Sequence, residues 1–182
     1  MDYDKAVFWD RDGIINQIEV KEGKSLSPRK FSDFKVFSFI KNLLIEVKSL
    51  GFLNIIFTNQ PDISRLLMEP KELRLMHQFL ENNYQISKIY CCPHSNEDNC
   101  SCRKPLPGML ISAIKDFSLN HKKCYVIGDR INDIIAGDLA SIKNLYLLEK
   151  SYSYNGCDKK LLPDFKTISS VKEIPDIIRG KL

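Results

Sequence analysis

The stretch Ala6-Val7-Phe8-Trp9-Asp10-Arg11-Asp12-Gly13-Ile14-Ile15-Asn16 decides how the rest of the chain is read. Four apolar residues run without polar alternation into two aspartates one residue apart, followed at once by a glycine. An unbroken apolar run of this length suits a strand buried on both faces of a parallel sheet. The aspartates then fall at its carboxyl end, where open α/β sheets bind ligands. Gly13 permits a sharp turn there without a Cβ penalty. Two carboxylates at one strand tip repel each other unless a cation lies between them, and hard divalent cations take oxygen ligands. A polar turn after any strand would read the same, so later segments must decide.

Composition narrows the field. The 182 residues are most simply one domain, 1–182, long enough to bury a core. Hydrophobic residues at 43% and charged residues at 27% are ordinary globular values. The net charge of +4 comes without a basic stripe, which argues against a nucleic-acid partner and suits a small anionic substrate. Met1 to Lys5 carries no positive leader, and no apolar stretch approaches a membrane span, so a cytoplasmic monomer with no membrane partner is expected. Of six cysteines, four fall between Cys91 and Cys102, which favours reduced, metal-holding thiols over disulfides.

Along the chain, 17–34 reads as a long, polar and irregular connection, of a length that is often functional. Residues 36–50 keep helical spacing, with Gly51 as the stop. A second strand over 52–57 ends in Thr58-Asn59-Gln60, and a helix over 70–84 follows, on which His77 reads as a packed or surface residue. A third strand, 86–91, opens into a Cys/His-rich loop. A helix over 107–117, a strand over 123–127, a short helix over 132–140 and a fifth strand over 145–148 complete the alternation, with a further helix near 174–178. Strands alternating with helices imply a Rossmann-like, three-layer parallel sheet with right-handed crossovers.

Three later segments carry chemistry. Thr58 and Asn59 can donate hydrogen bonds to phosphate oxygens from a strand tip. Lys104, in Cys102-Arg103-Lys104-Pro105, can offset charge on a transferring phosphoryl group if it is buried and oriented. Gly128-Asp129-Arg130-Ile131-Asn132-Asp133 again delivers carboxylates to the end of an apolar run. Taken singly, each is an ordinary polar loop.

In this order, the four segments resemble those of the haloacid-dehalogenase-like (HAD) phosphatases over nearly the whole chain. The resemblance implies that Asp10 is the nucleophile, forming an aspartyl-phosphate, and that Asp12 serves as general acid and then base. It implies that Thr58 and Lys104 hold the phosphoryl group, while Asp10, the Asp12 carbonyl and Asp129 carry Mg²⁺, with Asp133 behind them.

The loop over 91–104 is more specific. Cys92, His94, Cys100 and Cys102 form C-x-H-x₅-C-x-C, a complete tetrahedral Zn²⁺ set with no position left for substrate. Such a site is structural and places Arg103 and Lys104 directly after its last ligand. Cys91 is expected to point to the opposite face from Cys92 and to be core, together with Cys124 and Cys157.

A DRDG phosphatase with this zinc loop and a following CRKP resembles the family of D-glycero-D-manno-heptose 1,7-bisphosphate 7-phosphatases. Asn16 and the Arg103-Lys104-Pro105-Leu106-Pro107-Gly108-Met109 run favour that family over the related histidinol-phosphate phosphatases, whereas Arg130 leans slightly the other way. The resemblance implies a small phosphorylated sugar as substrate, contacted by Asn59, Gln60, Arg103 and Arg130, in an open site with no large cap domain. Pro61-Asp62-Ile63-Ser64-Arg65-Leu66 departs from the family's glycine-ended SGIARG loop. A reading from another class is a zinc-stabilised binding scaffold on a phosphatase fold.

Overall fold

The computed structural model describes residues 3–155 and 162–180; Cys157 lies outside them. Its strands are β1 (Ala6–Trp9), β2 (Glu19–Lys21), β3 (Lys24–Leu26), β4 (Leu53–Asn59), β5 (Lys88–Cys92), β6 (Tyr125–Gly128), β7 (Asn144–Leu148) and β8 (Lys166–Ile168). Its helices are α1 (Ile40–Ser49), α2 (Pro70–Asn83), α3 (Gly108–Asp116), α4 (Ile131–Leu139) and α5 (Ile174–Ile178). Six strands form one sheet in the order β5-β4-β1-β6-β7-β8, and every pairing in it is parallel.

The strand order places the site. From β1 the chain builds outward through β4 and β5, then returns to the other flank of β1 with β6, β7 and β8. The direction of winding therefore reverses between β1 and β6, and the crevice outside their carboxyl ends is where such sheets take ligands. Asp10 follows β1 and Asp129 follows β6, so both stand at that crevice.

β1 is buried along its whole length because both faces of the sheet are covered. Ala6 and Phe8 join the apolar cluster on one face; Val7 and Trp9 join the cluster on the other. This is the two-residue alternation of a strand turned entirely inward. Asn54 is the polar exception within the buried run of β4. Its Oδ1 accepts from Trp9 Nε1 at 3.0 Å, and its Nδ2 donates to the carbonyls of Leu44 at 2.9 Å and Gln85 at 3.0 Å. Each polar atom of that amide has a partner, as burial requires.

Two expectations need correction. The 17–34 connection is not irregular: it contains the antiparallel hairpin β2–β3 and a 3-10 turn at Phe31–Asp33. β2 is exposed throughout, so its sequence lacks the apolar alternation that reveals a half-buried strand. The sheet also has a sixth strand, β8, whose three residues Lys166, Thr167 and Ile168 are too short and polar a run to register as one. Element ends shift by a few residues elsewhere; residues 36–39 precede α1, and Val36 instead bridges to Asn16. No helix among the described residues is long and apolar enough to cross a membrane.

Candidate active site

Asp10 leaves β1 with its backbone N–H still donating to the carbonyl of Ile127 on β6, at 2.9 Å. Gly13 then turns the chain with φ +89°, a conformation that L side chains rarely adopt. Any Cβ at that position would collide with the Asp129 carboxylate, so the glycine is required for close approach as well as for the turn.

Lys104 enters from the loop before α3. Its Nζ lies 2.6 Å from Asp10 Oδ1 and 2.5 Å from Asp133 Oδ1, and it also donates to the Phe57 carbonyl at 3.0 Å. Asn59 aligns this loop: its Nδ2 donates to the Lys104 carbonyl and its Oδ1 accepts from the Lys104 N–H, both at 3.1 Å. Burial alone would favour neutral lysine, but the charges of Asp10 and Asp133 outweigh it and raise the ammonium pKa.

The carboxylates are in excess. Asp10, Asp129 and Asp133 each offer an oxygen within 4.8 Å of the others, with Lys104 as the cation among them. Burial, opposed by Lys104 and reinforced by Asp133 and Asp12, raises the Asp10 carboxyl to about 6. Burial and the charges of Asp10 and Asp133 hold Asp129 well above the ordinary carboxylate range. Asp129 Oδ1 is buried with no hydrogen-bond partner. An orphaned carboxylate oxygen facing two other carboxylates fits an oxygen-seeking divalent cation such as Mg²⁺. Tyr152 donates to Asp129 Oδ2 at 2.6 Å, and Ser153 Oγ donates to the Asp129 carbonyl at 2.6 Å. Neither residue was marked by the sequence, since both lie in an irregular segment far along the chain.

Asp12 faces the same cavity from a different setting. Asn16 donates to its Oδ1 at 2.9 Å and Gln60 to its Oδ2 at 2.7 Å, while Arg11 holds both oxygens at 3.0 to 3.1 Å. Burial works to raise the Asp12 pKa, but Arg11 and the hydrogen bonds from Asn16, Gln60 and Ser27 together bring it below the ordinary value. Gln60 also donates to Thr58 Oγ1 at 2.9 Å, which leaves the threonine hydroxyl proton for another acceptor. Gln60 is thus a brace between Asp12 and Thr58, a closer role than open substrate contact.

Asp10, Asp12, Thr58 and Lys104 line one cavity of about 380 Å³. Arg29, Arg65, Arg103 and Arg130 line it as well, with Asp62 paired to the first two. Arg130 reaches Ser25 Oγ on β3, and its guanidinium lies 5.5 Å from the Tyr152 ring centroid. Arg29 pairs with Asp62 at 2.6 Å, which joins the hairpin connection to the loop after β4. Arg103 is partly committed elsewhere: its Nε donates to Asn96 Oδ1 at 2.7 Å and its Nη1 to the His94 carbonyl at 3.1 Å.

The cysteine loop closes on itself beside the site. Cys92 Sγ lies 3.6 Å from both His94 Nδ1 and Cys100 Sγ, and His94 Nδ1 lies 3.3 Å from Cys102 Sγ. Bond lengths of about 2.3 Å to sulfur and 2.0 Å to nitrogen give tetrahedron edges of roughly 3.6 to 3.8 Å. The four atoms fit one zinc ion. Cys91 is only half-buried and joins neither core cluster, because its side of β5 lies towards Arg11 rather than the apolar interior; Cys124 is core as expected.

The chain is similar to known proteins in sequence and in fold. The Hydrolase_like (HAD-hydrolase-like) family model matches residues 101–173. A D-glycero-β-D-manno-heptose-1,7-bisphosphate 7-phosphatase of Helicobacter pylori is 36% identical over 154 residues, covering 81% of this chain and 86% of the relative. A D-glycero-α-D-manno-heptose-1,7-bisphosphate 7-phosphatase of Campylobacter jejuni is 32% identical over 182 residues, covering 97% of each. Among solved structures, D,D-heptose 1,7-bisphosphate phosphatase from B. bronchiseptica, complexed with magnesium and phosphate, superposes with TM-score 0.81 at 20% identity. That match covers 98% of this chain and 99% of the other, which establishes the shared fold. At 36% identity over 81% of its length to one such enzyme and 32% over 97% to another, the chain belongs to the D-glycero-manno-heptose-1,7-bisphosphate 7-phosphatase family of HAD-like hydrolases.

Proposed function

We propose that the protein removes the 7-phosphate of D-glycero-D-manno-heptose 1,7-bisphosphate, a step in making activated heptose for surface glycans. The observation that carries the reaction type is Lys104 seated between Asp10 and Asp133 at the crevice where Asp129 keeps an unpartnered oxygen. The names of the relatives support the substrate.

In this reading an Asp10 carboxylate oxygen attacks phosphorus and the bond to the sugar oxygen breaks. Asp12, a carboxylate in the free site, must take up a proton as the anionic substrate enters; it gives that proton to the departing alkoxide, and an aspartyl-phosphate remains. Asp12, now a carboxylate, takes a proton from water as that water attacks the phosphorus, and inorganic phosphate leaves with Asp10 restored. Lys104 and the Thr58 hydroxyl hold the phosphoryl oxygens in line throughout. Mg²⁺, held by Asp10, the Asp12 carbonyl and Asp129 with Asp133 behind, would supply positive charge against the equatorial oxygens. Zn²⁺ on Cys92, His94, Cys100 and Cys102 would fix the loop that delivers Arg103 and Lys104.

Arg103 and Arg130, with Asn59 supporting the lysine loop, form a cationic wall against which the sugar and its second phosphate would lie. The protein is read as a single-domain monomer of the cytoplasm, where a reducing environment suits the unbonded cysteines among the described residues. The relatives named above give no support to a histidinol-phosphate substrate, and the filled set of Asp10, Asp12, Thr58, Lys104 and Asp129 disfavours an inactive scaffold.

The test is a Mg²⁺-dependent assay on both anomers of the bisphosphate, on histidinol phosphate and on a small generic ester. The bisphosphate is expected to show the highest kcat/KM and to yield the 1-phosphate. Arg103→Ala is expected to weaken turnover of the bisphosphate far more than that of the generic ester. A higher kcat/KM for histidinol phosphate would overturn the substrate.

A further inference from the structure

Asp12 is held from behind by a residue that the reaction as described does not use. Arg11 is completely buried. Its Nε and Nη2 fork onto Asp12, and its Nη1 turns the other way, to His77 Nε2 at 3.2 Å and Met76 Sδ at 3.9 Å. The Phe34 ring lies over the guanidinium, 5.5 Å from its centre, and blocks a third direction.

A guanidinium can only donate, so His77 Nε2 must be the acceptor and the ring's proton must sit on Nδ1. Burial, reinforced by the charge of Arg11, holds the His77 pKa down to about 4, so the ring stays neutral and able to accept. Sulfur is a weak acceptor. His77 is therefore the one strong acceptor that this end of the buried guanidinium meets among the described residues. Because the fork is rigid and planar, fixing Nη1 at His77 also fixes the two donors that aim at Asp12.

We propose that His77 is a positioning residue for proton transfer, acting through Arg11 to set the direction of the Asp12 carboxyl. It touches neither substrate nor metal. Asn16 and Gln60 also hold Asp12, so loss of His77 should misdirect the acid without removing it. The inference rests on Asp12 being the group that protonates the leaving oxygen.

That dependence supplies the readout. Expelling an alkoxide needs a proton, whereas expelling p-nitrophenolate scarcely does, and kcat/KM reports the steps up to phosphoryl transfer. His77→Leu is expected to lower kcat/KM for an alkyl phosphate on the order of tenfold or more, and for p-nitrophenyl phosphate only a few-fold. His77→Gln, which keeps an acceptor, is expected to recover most of the alkyl activity. If His77→Leu does not fold, His77→Asn, too short to reach Arg11, takes its place. Asp12→Asn run in parallel should show the same dependence on leaving group, more steeply. Equal losses on both esters in the His77 variants, or no recovery with glutamine, would overturn this role. Equal losses in Asp12→Asn would instead overturn the assignment of Asp12 as the acid, and the role of His77 with it.

Discussion

The ammonium of Lys104 lies 2.6 Å from Oδ1 of Asp10, although 94 residues separate the two in sequence. Both are buried, and neither charge would be tolerated there alone. In the proposed reaction the Lys104 ammonium would meet the phosphoryl group beside Asp10, where burial strengthens its charge. Replacing Lys104 with methionine is expected to lower kcat by about 10²–10³. Asp10→Asn is expected to abolish turnover, since an amide is a poor nucleophile, while Asp133 remains to pair with Lys104. Steady-state kinetics with thermal melting checks both, and a near wild-type kcat in Asp10→Asn would remove the proposed nucleophile.

The zinc loop gives a stability prediction. Cys92, His94, Cys100 and Cys102 lie at the surface end of β5, and only Cys92 of the four is buried. Without an ion the four ligand side chains are joined to one another only by weak thiol and imidazole contacts. The purified protein is expected to hold about one tightly bound Zn²⁺. Stripping it should lower the melting temperature and, by loosening Lys104, reduce activity even with Mg²⁺ in excess. Metal analysis before and after chelation decides the matter; unchanged melting and activity after complete zinc loss would show that the ion supports nothing.

Asn54 offers a test of the core that leaves the site untouched. Its replacement by leucine would strand the buried Trp9 indole N–H and remove the amide's donations to the carbonyls of Leu44 and Gln85. An unpaired buried polar group costs about 1–3 kcal/mol, so a loss of that order is expected in urea unfolding. A change below about 0.5 kcal/mol would mean that those groups find other partners.

His77 should leave a signature in the pH dependence of stability. Its native pKa is depressed to about 4 by burial and by Arg11, whereas the unfolded chain titrates near 6.5. Between those values the unfolded state binds the extra proton, so the native state is favoured above 6.5 and loses that advantage as the pH falls towards 4. The ceiling is about 3 kcal/mol, less whatever solvent access to the ring allows. Comparing unfolding free energies of wild type and His77→Gln at pH 7 and pH 4.5 isolates it from the carboxylates common to both. Parallel pH curves would contradict the depressed pKa.

Much of the site was legible because its parts are local. Asp10 and Asp12 are separated by one residue at the end of an apolar run, and four apolar residues in a row state the burial of β1 without further context. The four candidate zinc ligands fall within a short span whose spacing suits a tetrahedral site. Thr58 and Asp129 are strand-tip residues, found once their strands are found. The hairpin β2–β3 and the strand β8 escaped because neither buries a periodic apolar face, and periodicity is how a sequence announces a strand.

The sequence by itself determined which residues are candidates for chemistry, since carboxylate, thiolate and ammonium properties travel with the side chain and their spacing with the chain. Only the tertiary structure decided how those groups are held. Gln60 braces Asp12 and Thr58, Tyr152 grips Asp129, and His77 meets Arg11 from α2 across 66 positions of sequence. Such contacts depend on which strand lies beside which and on where each element ends. Those choices follow from the summed burial of two apolar clusters across the sheet, a sum to which no single segment contributes enough to reveal the result.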